Sequence, residues 1–233
     1  MRGAMTALTL HYHPLSSYCQ KVLIAIDLLG VEVDKRLLDL GNPAERDAWL
    51  ALWPTGKMPL LVDQGRPVPE SSIIIEHLQH SHAAGGRTLV PHDAADALDV
   101  RLWDRLFDLY VMTPMQAFTA DLLKPEGERD PRSVARARDT LSMAYALIDR
   151  RLEGRTWVAG DAFSMADCAA APALFYAATY LPLPPSQLQL SAYFERLMEH
   201  PSVAAVIDQA RPYFKFYPGR AGLSRRFFDP TAG

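Results

Sequence analysis

The stretch "HYHPLSSYCQKVLIAI", residues 11–26, reads as the end of a strand, a turn and the start of a helix. Leu8 to Tyr12 has strand alternation, with Leu8 and Leu10 on one face. His13-Pro14-Leu15 makes the turn. From Ser17 to Leu29 the apolar residues Val22, Ile26 and Leu29 recur at helical spacing, and Gly30 ends the helix. The first helical turn carries Ser16-Ser17-Tyr18-Cys19, the register of a Cys-x-x-Cys pair with its first thiol replaced by a hydroxyl. The alternation of strand and helix continues down the chain. "VEVDKRLLDL" is an alternating strand, and "ERDAWLAL" is a short helix stopped by Pro54. "KMPLLV" and "RPVPE" are strands joined by the turn Asp63-Gln64-Gly65, and "SSIIIEHLQHSH" is a helix. The order is βαβ followed by ββα.

"AAGGRTLVPHD" has the composition of a linker, and the chain beyond it is helical. Asp93 to Ala120 carries Leu98, Leu102, Leu106 and Leu109 on one face, with a kink expected at Pro114. After the polar turn "LLKPEGERDPR", a second helix is marked by Val134, Leu141, Tyr145, Ile148 and Leu152. "MADCAAAPALFYAATY" is apolar almost all round, so it is expected to be the buried central helix. Two shorter helices are expected near Ser186 to His200 and Ser202 to Ala210. The expected fold class is therefore a two-domain α+β protein, with a small α/β domain over 6–84, an all-α domain over 92–215 and a tail over 216–233. A natural start at Met5 is expected.

Composition narrows the function classes. A formal net charge of −3 leaves no basic excess to neutralise phosphates, so nucleic acid is not an expected partner. No apolar run reaches membrane-span length and no signal-peptide core is read at the N-terminus, so no membrane partner is expected. Two cysteines, Cys19 and Cys168, are too few for a disulfide framework and point to free thiols in a reducing, cytoplasmic setting.

Three motifs carry chemistry. "GKMPLL" sets Pro59 at the opening of a strand after a Gly-Lys turn. "PESSIIIEHL" offers Ser71 or Ser72 as a helix cap, backbone N–H groups that form an anion site, and Glu70 as an acceptor for an ammonium. "FSMADC" has Ser164 and Asp167 at capping-box spacing, with Phe163 and Cys168 as the hydrophobic staple. It reads as structural, with Cys168 a small hydrophobe.

Together these motifs resemble the cytosolic glutathione transferases over nearly the whole chain, and the serine-type corner is locally most similar to the zeta class. The resemblance implies a thioredoxin-like first domain with a cis bond before Pro59, an all-helical second domain, and a homodimer acting in detoxification. It implies glutathione as cosubstrate and no metal. The Met58 backbone would pair with the cysteinyl part of the tripeptide as an added strand does. Lys57 would reach its terminal carboxylate, and Glu70 and Ser71 its γ-glutamyl end. Asp104, with Asp108 as a rival, would reach the γ-glutamyl ammonium in the partner subunit. Ser16 would hold the glutathione sulfur as thiolate, with Ser17, Tyr12 and Cys19 as alternative donors. Leu15, Trp103, Phe107 and Tyr110 would line the site of an electrophilic apolar second substrate. Tyr18 departs from the zeta pattern, which has cysteine there.

Two other readings keep the fold. Cys19 would serve a glutathione-dependent disulfide reductase or peroxidase, or the scaffold would carry apolar ligands or partners without catalysis. The histidines read as bystanders. His11 and His13 share a strand face without a third metal ligand, and His77, His80 and His82 are expected on an exposed helix face. The tail, with Arg220, Arg225 and Arg226 among aromatics, reads either as a lid or as a frayed end.

Overall fold

The computed structural model describes residues 8–83 and 87–228. Met5, the outer limits of the first expected domain and residues 229–233 of the tail lie outside them. The chain forms two compact units that divide between Thr88 and Leu89.

The first unit is a four-stranded sheet of order β2-β1-β3-β4, with β1 Thr9–Tyr12, β2 Asp34–Leu37, β3 Leu60–Asp63 and β4 Arg66–Pro69. β1 pairs parallel with β2 and antiparallel with β3, and β3 pairs antiparallel with β4. The helices are α1 Ser17–Leu29, α2 Pro43–Leu52 and α3 Ser71–Ser81. This is the thioredoxin-like arrangement, and Met58–Pro59 is cis, as expected. Gly30 ends α1 at φ 64, a left-handed conformation that suits glycine. Around α2, Leu38, Trp49 and Leu60 form a small apolar cluster with Trp53, Met58 and Val62 against it.

The sequence overextends β2. Strand structure covers only Asp34–Leu37, all four residues are exposed, and Leu37 is at the sheet edge. The H-x-H pair also divides. His11 lies in β1 with its ring 5.5 Å from that of Trp49. His13 is already in the turn, where its Nδ1 accepts from the Leu15 N–H at 3.2 Å.

The second unit is all-helical, with α4 Ala94–Leu106, α5 Thr113–Leu122, α6 Pro131–Arg151, α7 Met165–Tyr180, α8 Leu188–Glu199, α9 Pro201–Ala210 and a short α10 Arg225–Phe228. It starts earlier than the linker composition implies. Leu89 and Val90 are buried, and the Leu89 carbonyl accepts from the Met165 N–H at 2.8 Å. The long first helix does not simply kink. Residues Phe107–Met112 form a π-helical segment between α4 and α5. Pro114 lacks an N–H, and its ring would meet the carbonyl four residues back, so the preceding turn widens. The leucine stripe faces outward. Leu98, Leu102 and Leu109 are 68%, 58% and 52% exposed, while Ala97, Val100, Trp103, Phe107 and Val111 fill the core side.

The buried central helix α7 starts at the expected capping box. Asp167, fully buried, accepts from the Ser164 N–H (2.8 Å), the Ser164 hydroxyl (2.9 Å), the Val158 N–H (3.2 Å) and the Tyr193 hydroxyl (2.6 Å). Phe163 packs on Trp157 and His200, with ring centroids 4.9 and 4.4 Å away. The described part of the tail is neither a frayed end nor a free lid. Arg226 pairs with both carboxylate oxygens of Glu195 on α8 at 2.6 and 2.8 Å, and Phe227 meets Phe175 of α7 edge-on at 4.9 Å. Gly222 sits so close to α7 that a Cβ there would lie 2.0 Å from the Thr179 carbonyl oxygen.

Candidate active site

Strand direction brings the candidate residues of the first unit to one end of its sheet. β1 ends at Tyr12, before the Ser16 corner. β3 runs the opposite way and begins just after Met58–Pro59. β4 runs back again and ends just before Glu70, with Leu60 paired to Pro69. The Ser16 corner, the Met58 backbone and the start of α3 therefore share that end.

Ser16, not Ser17, caps α1. Its backbone is extended (φ −78, ψ 116), and its Oγ accepts from the Cys19 N–H at 3.3 Å. Ser17 is the first helical residue and is buried. A serine hydroxyl offers one proton and two lone pairs. The cap uses a lone pair, so the hydroxyl proton remains to donate, here to the Cys19 sulfur and, with a ligand in place, to a ligand sulfur instead. The Ser16 N–H donates to the His13 carbonyl at 3.0 Å, and the Gln20 side chain donates to the Pro14 carbonyl at 2.8 Å, so the corner is pinned from both sides. Burial holds the His13 imidazole below its ordinary pKa, against a weaker opposing pull from Asp39.

Cys19 is fully buried. Burial pushes its thiol up to about 12, outweighing the hydrogen bonds from the Ser16 side chain and the His13 backbone that favour the thiolate. At neutral pH it stays a thiol, and the thiolate is the reactive form. The disulfide-reductase reading based on Cys19 is not favoured.

At the start of α3 the expectation needs correction. Neither Ser71 nor Ser72 caps the helix. The cap position is Glu70, exposed, at φ 69 and ψ 120, and it makes no side-chain capping bond. A positive φ on a glutamate is strained, and strain of this kind concentrates at functional sites. The first-turn N–H groups thus receive no bond from the cap side chain, and such groups attract anions. Ser71 is buried, and the Ser72 Oγ accepts from the Lys21 Nζ at 2.9 Å. Lys57 is exposed, Met58 half-buried and Pro59 buried.

Sequence reasoning misses Lys21. It is a fully buried cation on α1, tied to the first turn of α3. Its one signal is a lone charge before the apolar run Val22 to Ile26. Lys21→Met is expected to lower stability by roughly 1.5–3 kcal/mol, the worth of a hydrogen bond to a charged group. Urea denaturation measures this; an unchanged midpoint would show that the ammonium holds nothing.

In the second unit Trp103 and Phe107 belong to the core, with the Arg151 guanidinium 5.1 Å above the Trp103 ring. Tyr110 is 46% exposed, so of the three it alone offers a substantial surface to a ligand. Asp104 is 1% exposed and Asp108 3%, with Arg105 3.4 Å from Asp108. Burial of both carboxylates in the helical unit counts against either reaching a ligand held by another subunit.

A strand corner with a cis-proline beside it, an open helix start and a separate all-helical unit define a thioredoxin-fold protein with a helical C-terminal domain. The sequence profile of the glutathione S-transferase N-terminal domain matches residues 10–86, and that of the C-terminal domain matches residues 105–201. The chain belongs to the glutathione S-transferase family. It is 25% identical over 200 residues to glutathione S-transferase GstB of Escherichia coli K12, covering 82% of this chain and 93% of that protein. It is 28% identical over 165 residues to the glutathione S-transferase-like protein LUC7 of Fusarium, covering 67% and 71%. Among solved structures it resembles a glutathione S-transferase from Methylobacillus flagellatus with glutathione bound, at TM-score 0.76 and 25% identity, covering 86% of this chain and 98% of that one. Among the described residues no helix is long and apolar enough to cross a membrane.

Proposed function

We propose that this chain is a glutathione transferase that binds glutathione on its first unit, holds the sulfur as thiolate through Ser16 and transfers it to an electrophilic apolar substrate. The uncapped start of α3 beneath a strained Glu70 carries this reading. The γ-glutamyl carboxylate of glutathione meets the first-turn N–H groups beside Ser71, and Glu70 accepts from its ammonium. The Met58 backbone pairs with the cysteinyl part, and Lys57 meets the terminal carboxylate. The 6–84 region is then the glutathione-binding domain. On the first unit, the half-buried Leu15 is the candidate for contact with the electrophile. Buried free thiols fit a reducing cytoplasm.

A free thiol near pKa 8.5 is only a few per cent ionised at neutral pH. Lowering it by about two units takes roughly 2.7 kcal/mol of preferential anion stabilisation. One charge-assisted hydrogen bond supplies about 1.5–3 kcal/mol. The N-terminus of α1 adds about 0.3–1 kcal/mol. Ser16 and α1 therefore suffice without a cation at the sulfur.

Glutathione titration with conjugation of chlorodinitrobenzene tests the proposal. Ser71→Ala combined with Glu70→Ala is expected to weaken glutathione binding at least tenfold, and Cys19→Ala to leave turnover near that of the wild type. Loss of activity in Cys19→Ala with Ser16→Ala active would restore the reductase reading. Wild-type protein that binds apolar dyes but not glutathione would make the chain a non-catalytic carrier.

The chain is further proposed to be a homodimer. The outward stripe Leu98, Leu102 and Leu109 on α4 and the π segment is an apolar face left exposed among the described residues. Leu102→Glu is expected to convert dimer to monomer in sedimentation velocity. A wild-type monomer at micromolar concentration would overturn this.

A further inference from the structure

The sequence places His77, His80 and His82 together on an exposed helix face, and the structure separates them. His80 is exposed. His77, on α3, and His82, the residue that closes α3, turn inward to Asp63 at the end of β3. Both Nε2 atoms lie 2.8 Å from the same carboxylate oxygen, Asp63 Oδ2. The two rings stand edge to face, 5.5 Å apart.

We propose that Asp63, His77 and His82 form a binding site for one divalent d-block cation, zinc above others. The three ligand atoms lie within 4.8 Å of one another, in two elements already held in place by the sheet and by the helix. Tetrahedral zinc with bonds near 2.0–2.1 Å to nitrogen and oxygen sets its ligands about 3.3–3.4 Å apart. Each nitrogen-to-oxygen contact then opens by roughly half an ångström to admit the ion, which rotation of the side chains can supply. The donor set of two imidazoles and one carboxylate suits zinc and its neighbours, whereas calcium and magnesium favour oxygen-only shells. The side chains of Asp63, His77 and His82 are 13%, 28% and 22% exposed, so an ion can enter and a water can complete the tetrahedron. Asp63 Oδ1 is buried and accepts no hydrogen bond among the described residues. A cation beside that carboxylate offsets the cost of a buried unsatisfied acceptor.

In the metal-free state the rings donate N–H bonds to Oδ2. On loading, each neutral ring carries its proton on Nδ1, and Nε2 becomes a metal ligand. The ion would tie the end of α3 to the end of β3. Along α3, at 1.5 Å per residue, Ser71 lies about 9 Å from His77 and about 16 Å from His82, so the site is separate from the glutathione corner.

The test is calorimetric titration of zinc chloride into the metal-stripped, untagged full chain in thiol-free buffer. One zinc per chain is expected in the wild type and in His80→Ala. His77→Ala and His82→Ala should each weaken binding by roughly a hundredfold, and abolish the rise in Tm that zinc gives the wild type. Glutathione affinity should be unchanged in His77→Ala. Cobalt loading of the wild type gives a readout that requires no variant to fold: intense visible bands of a tetrahedral site are expected, without a thiolate charge-transfer band. No zinc uptake, uptake indifferent to both histidine substitutions, or only the weak bands of six-coordinate cobalt would overturn the proposal and leave the cluster as a hydrogen-bonded tie.

Discussion

Ser16→Ala is expected to return the thiol of bound glutathione towards its free pKa, a rise of about one to two units, and to lower kcat/KM by roughly 10–100-fold, the equivalent of about 1.5–3 kcal/mol. KM for glutathione should move little, because the γ-glutamyl and backbone contacts remain. The helix cap is lost as well, at about 1 kcal/mol of stability. Ser16→Asp separates these effects. An aspartate caps well but brings a negative charge to the sulfur, so stability should be kept and thiolate lost. The pH profile gives the sign. Below the bound thiol's pKa, activity falls tenfold per pH unit. In Ser16→Ala that fall should begin at higher pH. Ultraviolet absorbance of the thiolate, followed across pH, reads the same shift directly. A wild-type signal that survives Ser16→Ala would move the donor role to Tyr12.

Asp167→Ala is expected to be the most damaging substitution in the helical unit, at about 3–5 kcal/mol. It strips four hydrogen bonds from the start of α7 and strands the Val158 N–H and the Tyr193 hydroxyl in the core. Accumulation in the insoluble fraction, or a large fall in Tm, would bear this out. Tyr193→Phe isolates one bond and should cost about 1.5–3 kcal/mol at neutral pH. Burial raises the Asp167 pKa, and the bonds from Tyr193, Ser164 and Val158 pull it back. A folded-state pKa above the unfolded one contributes stability that is full below the unfolded value and lost as pH rises through the folded value. Above that window the ionised carboxylate depends on its donors. The cost of Tyr193→Phe should therefore shrink as pH falls through the raised Asp167 pKa, above the usual carboxylate range. Urea denaturation at neutral and acidic pH measures it, and a pH-independent cost would refute the assignment.

What was legible in the sequence was what local rules determine. α1 ends where Gly30 says it must, and α7 is capped by Ser164 and runs from Met165 to Tyr180, because caps and apolar patterning are short-range signals. "GKMPLL" and "PESS" located the two segments that flank the corner. The conformation of Glu70 was not legible, since a backbone angle leaves no mark in residue type. Periodicity gave the Leu98–Leu102–Leu109 face but not its direction, because an apolar stripe fits a core or a partner equally well. Lys21 with Ser72, and Asp63 with its two histidines, join residues far apart in the chain. Their pairing comes from how α3 packs on α1 and β3, which a single sequence does not display.

The packing of residues 211–228 onto α7 and α8 has a consequence for the order in which the molecule is made. Every strand of the sheet lies between residues 9 and 69, and α3 is finished by Ser81. The helical unit has no such early closure, because Gly222, Arg226 and Phe227 complete the cover over α7 and α8. At translation speeds of about 5–20 residues per second, the sheet is complete on the order of ten seconds before the last pieces of the helical wall emerge. During that interval α7, apolar on nearly every side, waits without its final cover. A ribosome stalled just short of Gly222 would hold a finished glutathione corner followed by a sticky, half-walled bundle. In the living cell, that interval is when chaperones would have their opening.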